Sequence, residues 1–358
     1  MSANVASSLT GLYRRLASAW SLFTNFAYDL RRFRKASFID GAHTRENRRA
    51  HIHLLAHTLE YGMALSDPRK GFGIEKVAML CEETQHYFCQ FGRDETIDMA
   101  LAVLTSHIAF TASQGASTTS LEALVEPVLA IAGPVAGPDR GVAGGTEKVR
   151  FADIASHARI DFLSFMQARN SVRQYERDRE VTRETIERVV RAAQQTPSSC
   201  NRQTCKVYAF TSHDSIAQVL AHHDGNRGFG DQLGGVFVVT VNLSHWNSVG
   251  ERNQGWVDGG MFAMTLALGL HAEGLGACML NWSATRERDR ALRQCIDIPD
   301  NEIIITLIGF GHMREEFSVP VSRRKSLAMV LHYEPPLNGS ASSRLCRKVS
   351  ASRLFMEM

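Results

Sequence analysis

The chain has 358 residues, 44% of them hydrophobic and 22% charged. That is ordinary globular composition, which excludes a disordered, collagen-like or coiled-coil chain, and the length suits two domains. With 40 basic and 37 acidic residues the formal charge is +3, so there is no general pull toward nucleic acid and only a local patch could supply one.

Residues 1–10 show no basic segment followed by a long apolar run, so no secretory signal is expected at the start. In 9–35, Leu12, Leu16, Trp20, Phe23, Ala27 and Leu30 recur at spacings of three and four, one face of a helix. Cations surround it: Arg14, Arg15, Arg31, Arg32, Arg34 and Lys35. The expected fate of this aromatic face is packing on neighbouring helices or on the second domain. The alternative is an anionic membrane surface, a peripheral contact. Further helices are expected at 44–65, 74–91, 94–112 and 119–132, separated by Asp67-Pro68, Gly71, Gly73 and Gly92. Residues 1–132 therefore read as an all-α region. The stretch 133–147, GPVAGPDRGVAGGTE, breaks helices, and 133–149 reads as a Gly/Pro-rich linker.

The following part, 150–338, alternates. A helix is expected over 150–167. Thr182 can cap a helix through 195, with Ile186, Val189, Val190 and Ala193 on its inner face. Strands are expected at 205–211, 235–242, near 277–280 and at 302–310. Helices are expected between them at 213–223, 256–273 and 285–295. The apolar run 261–280 contains His271, Glu273 and three glycines, so it reads as a buried helix entering a strand rather than a span, which needs about 20 residues with almost no charge. Interleaved strands and helices make a sheet covered by helices. The basic, Ser-rich stretch 339–358 reads as a loosely held tail.

Four clusters carry candidate chemistry. Arg169-Asn170-Ser171-Val172-Arg173 sets two guanidiniums around a hydroxyl; guanidinium forks match phosphate oxygens, although a solvated basic turn has the same composition. Pro197 ends a helix, and Ser198, Ser199, Asn201 and Gln203 then present hydroxyls and amides that suit a polar heterocycle edge, or simply a polar loop. The glycines of 274–283 allow a tight helix-to-strand return and close backbone approach. Arg323-Arg324-Lys325 follows the last strand. No Ser-His-Asp set or paired-carboxylate motif is visible. His51, His53 and His57 lack the further ligands a zinc site wants, so no metal is expected. Seven cysteines lie without paired short spacings, the pattern of reduced thiols in a cytoplasm. Cys200 and Cys205 read as idle thiols rather than a redox pair.

Together these clusters resemble the nitroreductase-like FMN-dependent oxidoreductases. The resemblance rests on Arg169-x-Ser171-x-Arg173 with Tyr175, the Pro-Ser-x-x-Asn-x-Gln loop at 197–203 and the Asp/Gly-rich helix start at 258–260. It continues through Gly-Leu-Gly-x-Cys at 274–278, Ile-Gly-Phe-Gly at 308–311 and Arg324-Lys325-Ser326-Leu327. It covers about 165–335, with the region before it an addition. It implies an α+β fold with a mixed, mainly antiparallel sheet flanked by helices, preceded here by the all-α N-terminal region.

The resemblance also implies noncovalent FMN at the interface of a homodimer. Arg169, Ser171 and Arg173 would hold the phosphate and ribityl chain, and Arg324, or Arg323 one position earlier, would close on the phosphate. Ser198, Ser199 and Asn201 would come from the opposite subunit, and Gln203 and Asn226 would add flavin contacts. Leu280, Asn281 and Trp282 would pass the reactive edge. Hydride would move from NADH or NADPH through flavin N5 to a small conjugated acceptor (nitro, quinone or enone) by a ping-pong mechanism, with no catalytic side chain. Two departures stand out: Phe229 occupies a position where some members carry lysine, and Thr204-Cys205 replaces a proline and an aromatic. A helical region ahead of such a domain also resembles architectures found near bacterial polysaccharide synthesis. The alternative function is therefore a flavin-binding or degenerate accessory protein of that process at the membrane.

Overall fold

The computed structural model describes residues 2–133, 144–177 and 179–333, with side chains from Leu12 onward. The expected tail lies outside the described residues, as does most of the expected linker. The first helix, α1 (Ser2–Ala36), precedes four more: α2 (Arg45–Met63), α3 (Ile74–Phe91), α4 (Glu95–Ser113) and α5 (Thr119–Ala132). Thr44 caps α2, its side chain accepting from the Asn47 N–H while Asn47 bonds back to Thr44. Asp94 caps α4 through the Thr96 N–H at 2.9 Å. α2 to α5 bury a common core that includes Leu55, Leu59, Leu80, Tyr87, Leu101, Leu104 and Val125. α4 is long and apolar enough to cross a bilayer by length and composition, and here more than half of it is buried in this bundle.

Beyond the linker, α6 (Phe151–His157) and α7 (Phe162–Ala168) occupy the segment expected to be one helix. The break has a local cause: Asp161 caps α7, accepting from the Ser164 N–H and hydroxyl. Then come α8 (Arg183–Ala193), β1 (Cys205–Phe210), α9 (His213–Leu220) and β2 (Gly235–Asn242). They are followed by α10 (Gln254–Ala272), β3 (Leu275–Asn281), α11 (Arg286–Ile296) and β4 (Glu302–His312). The four strands form one antiparallel sheet in the order β1-β2-β4-β3. β2 is buried at all eight positions, which explains its unbroken β-branched run.

Each sheet face carries its own core. Val236, Val238, Cys278, Leu280 and Leu307 meet Ile216, Leu220 and Leu292 from α9 and α11. Phe237, Val239, Ile308 and Phe310 meet Val189, Phe262, Leu266 and Leu270 from α8 and α10. The domain is thus α+β, three layers deep. α10 lies so close that a Cβ on Gly259 would stand 2.6 Å from Ile305 Cγ1, which accounts for the small residues at its start.

α1 departs from expectation. Its aromatic face packs on nothing among the described residues: Leu12, Leu16, Trp20, Phe23, Phe26 and Leu30 are all exposed. Amphipathic spacing identifies an apolar face, but not what covers it. The opposite, polar face docks instead. Tyr28 donates to Asp289 at 2.8 Å, Asn25 accepts from the Arg286 N–H, and buried Arg32 reaches the carbonyls of Asp300 and Glu302. Among the described apolar side chains of α1, Phe33, near the helix end, is the buried one, against Val241, Leu243, Trp246 and Ile303. Asn47 on α2 adds a bond to the Ser244 carbonyl at 2.8 Å.

Candidate functional site

The Arg169–Arg173 run leaves α7 and lies along β3, an edge strand. Ser171 pairs with Ala277, and the Val172 N–H donates to the Ala277 carbonyl at 3.0 Å. The first and third sequence clusters therefore meet. Tyr175 is fully buried and donates to the Val172 carbonyl at 2.7 Å, so this aromatic braces the turn. Neither Arg169 nor Arg173 forms an ion pair with a carboxylate among the described residues. Among the described residues Arg173 bonds the Ser171 carbonyl, and the buried Nε of Arg169 has no partner. Burial pushes the Cys278 thiol up from its ordinary range, and both arginines are near enough to oppose that rise.

Backbone polarity follows from the strand period. Because Ala277 presents its carbonyl to the open edge, Met279 and Asn281 present their N–H groups to the same side. The loop after α9 comes to this edge as well. His223 Nε2 donates to the Asn281 carbonyl at 2.9 Å, Nδ1 accepts from the Gly225 N–H, and the ring stacks with Trp282 at 6.2 Å. Trp282 in turn donates to Asp289 at 3.0 Å, the carboxylate that also receives Tyr28 of α1. Asn226 lies in this loop, but its amide nitrogen is spent on the carbonyls of Leu220 and His223. Phe229 is buried in the core with Leu220 and Leu233, so no charge stands at its position. Arg227 is exposed and pairs with Asp224 at 3.6 Å.

The 197–203 loop sits at β1, the opposite edge of the sheet. Strand spacing alone puts about 14 Å between these edges, so one chain does not bring the loop to the arginines. Cys200, Asn201 and Gln203 hold left-handed conformations, with φ of 50°, 51° and 48°. Left-handed backbone costs non-glycine residues roughly 1 kcal/mol or more each, so the loop needs anchors. The Ser199 N–H donates to buried Asp258 at 3.1 Å, and the Gln203 N–H donates to Ser198 Oγ at 2.9 Å.

Arg202 is the main anchor. Its side chain is 1% exposed, ion-paired to Glu251, bonded to the His245 carbonyl and set over the Trp246 ring at 5.0 Å. This leaves Asn201 and Gln203 exposed beside a cavity of about 350 Å³ lined by Thr196, Pro197, Ser198, Tyr208 and Asp258. Thr204 is buried, its hydroxyl and carbonyl both tied to Asn242. Cys205 is part of the sheet, and burial pushes its thiol up to about 12.

Arg323 and Arg324 are exposed on an extended segment, where Arg324 bonds only the Ser322 carbonyl. The Nδ1 atoms of His51 and His57 lie 3.5 and 3.7 Å from carboxylate oxygens of Glu83 and Glu60. Sequence reasoning missed the roles of Arg202, His223 and Asp289, whereas Asp258 lies in the Asp/Gly-rich helix start that it singled out. Arg202 lay inside the loop motif, and Ser248-x-x-Glu251 was legible as a cap for its partner. His223 left no signal.

The nitroreductase family model matches residues 166–224 and 217–312. A curated protein of Archaeoglobus fulgidus, named as an NADH dehydrogenase/NAD(P)H nitroreductase, is 24% identical over 155 residues, 43% of this chain and 86% of that protein. Among solved structures, an FMN-dependent nitroreductase of Clostridium difficile is similar at 20% identity and a TM-score of 0.41, covering 48% of this chain and 99% of that one. A nitroreductase of Desulfovibrio desulfuricans, solved in complex with FMN, is similar at 22% identity and a TM-score of 0.43, covering 50% and 100%. The family match falls on the sheet, on α8 to α11 and on the arginine run along β3, so residues 166–312 are similar to the nitroreductase family and lie behind a helical N-terminal region.

Proposed function

We propose that this domain is an FMN-dependent NAD(P)H oxidoreductase acting on a small conjugated acceptor of nitro, quinone or enone type. One observation carries the reading. Arg169, Ser171 and Arg173 lie together along an open strand edge, and among the described residues the two guanidiniums lack carboxylates and one buried Nε lacks a partner. A polyoxygen anion satisfies that set, and the FMN phosphate is such an anion. When bound, FMN supplies at N5 a hydride acceptor and donor that no side chain provides.

The chain's own residues then bind and orient. Arg169 and Ser171 hold the phosphate and ribityl chain. Arg173 supplies positive charge near the pyrimidine edge, which Phe229 does not. The outward N–H groups of Met279 and Asn281, with Leu280 and Trp282 beside them, border the reactive edge. Asn226 shapes the neighbouring loop. Arg323 or Arg324 closes over the phosphate.

Ser198, Ser199, Asn201 and Gln203 complete the site from a second copy, because within one chain they stand at the other sheet edge. The exposed apolar side chains of Phe151, Ile154, Phe162, Leu163, Leu327 and Val330 suit such a homodimer. Donor leaves before acceptor enters, a ping-pong order, since both need the same open edge. The cysteines among the described residues are free, which suits a reducing cytoplasm.

Steady-state kinetics test this reading. NAD(P)H oxidation should accelerate on adding a quinone or nitroaromatic, with parallel double-reciprocal lines. Protein that purifies colourless and gains no melting temperature from added FMN would overturn it and favour the accessory role.

A further inference from the structure

We propose that α1 is an interfacial helix that lays the protein on an anionic membrane surface. Three observations carry this, independently of the flavin reading. The helix is mounted the unusual way round. Asn25, Tyr28 and Arg32, one polar stripe, bind the C-terminal domain, and at 100° per residue the stripe of Leu12, Leu16, Phe23 and Leu30 lies on the opposite side. These four side chains, with Trp20 and Phe26, are 54–67% exposed. From Leu12 to Leu30 the stripe runs about 27 Å, a continuous apolar surface far longer than scattered exposed residues make.

Charge selects the occupant. Arg14, Arg15, Arg31, Arg34 and Lys35 are exposed, and none of them forms an ion pair among the described residues. Asp29 is the one acidic residue between positions 12 and 36. A second copy of this helix would bring five more cations against these five. An anionic bilayer attracts them while aromatic and leucine side chains enter the headgroup boundary, the composition of helices that lie in the interface plane. The docked polar face fixes the rest of the protein on the aqueous side.

Vesicle sedimentation of the full chain tests the proposal. Phosphatidylcholine vesicles containing phosphatidylglycerol should bind the protein, and pure phosphatidylcholine vesicles should bind it far less. Binding should weaken as salt rises. Each cation removed should lower partitioning about fivefold, so Arg31→Ser with Arg34→Ser, the two that border the apolar stripe, should cost roughly 25-fold. Trp20→Glu with Phe23→Glu should abolish binding while leaving circular dichroism and melting unchanged, since both rings are exposed. Equal binding to neutral and anionic vesicles, or none to either, overturns the proposal. So does light scattering that shows the wild type as an oligomer which the Trp20→Glu, Phe23→Glu variant breaks apart, because a second copy would then cover the stripe.

Discussion

Arg169 and Arg202 show two opposite uses of a guanidinium. Arg169 keeps a buried Nε without a partner, whereas Arg202 is enclosed by Glu251, the His245 carbonyl and Trp246. The first fits a ligand and the second holds a strained loop. Arg169→Ala should therefore raise the FMN dissociation constant roughly 10- to 100-fold, the worth of one charge-assisted hydrogen bond, with little change in melting temperature. Fluorescence titration reads the first and calorimetry the second.

Glu251→Gln should behave in reverse. It strands the Arg202 charge in the interior and should cost about 3–5 kcal/mol of stability; a denaturant midpoint equal to wild type would contradict the anchoring role. The Arg-x-Ser-x-Arg cluster was legible because its residues are neighbours in sequence. The job of Arg202 was not, because its partners lie more than forty residues away and only folding brings them under the loop.

Among elements, the helices of the N-terminal bundle were legible because each buries a face at its own period, and the inner strands because burial on both sheet faces makes them unbroken apolar runs. The single helix expected over 150–167 is two helices, because the capping bond from Ser164 to Asp161 starts a new one. α1 was found but its orientation was reversed, since periodicity does not distinguish a face turned to protein from one turned outward. The docking of α1 rests on Asp289, which accepts from Tyr28, Trp282 and Arg293 and lies 3.6 Å from Arg32. Burial pushes this carboxyl up, yet the bonds and charges of Arg293, Trp282 and Arg32 hold it below the usual carboxylate range. Phe33→Ala should cost about 3 kcal/mol by leaving a cavity against Val241 and Trp246, and limited proteolysis should then cut after α1 first. Cleavage elsewhere, with α1 retained, would count against this docking.

At the scale of the whole molecule, the two regions meet through groups that respond to acid. Burial, with the charges of His245 and Arg49, holds His53 at about 4, below its ordinary 6.5. The unfolded chain therefore takes up this proton first, and stability falls as pH drops from 6.5 toward 4. Glu46 is held at about 2, below its ordinary 4.5, by its hydrogen bond to His245. Its contribution is present above pH 4.5 and is lost as pH falls toward 2. Both slopes have the same sign, so the melting temperature should decline continuously on acidification, and His53→Gln should flatten only the upper part.

The central claim is that the arginine run along β3 holds FMN and that the domain exchanges electrons with a nicotinamide. The absorption spectrum of the purified protein, recorded before and after anaerobic NADH or NADPH, tests it most directly. The purified protein should be yellow, and its visible flavin band should bleach with at least one of the two donors and return when a quinone is added. A colourless protein, or a flavin band that neither donor bleaches, would contradict it.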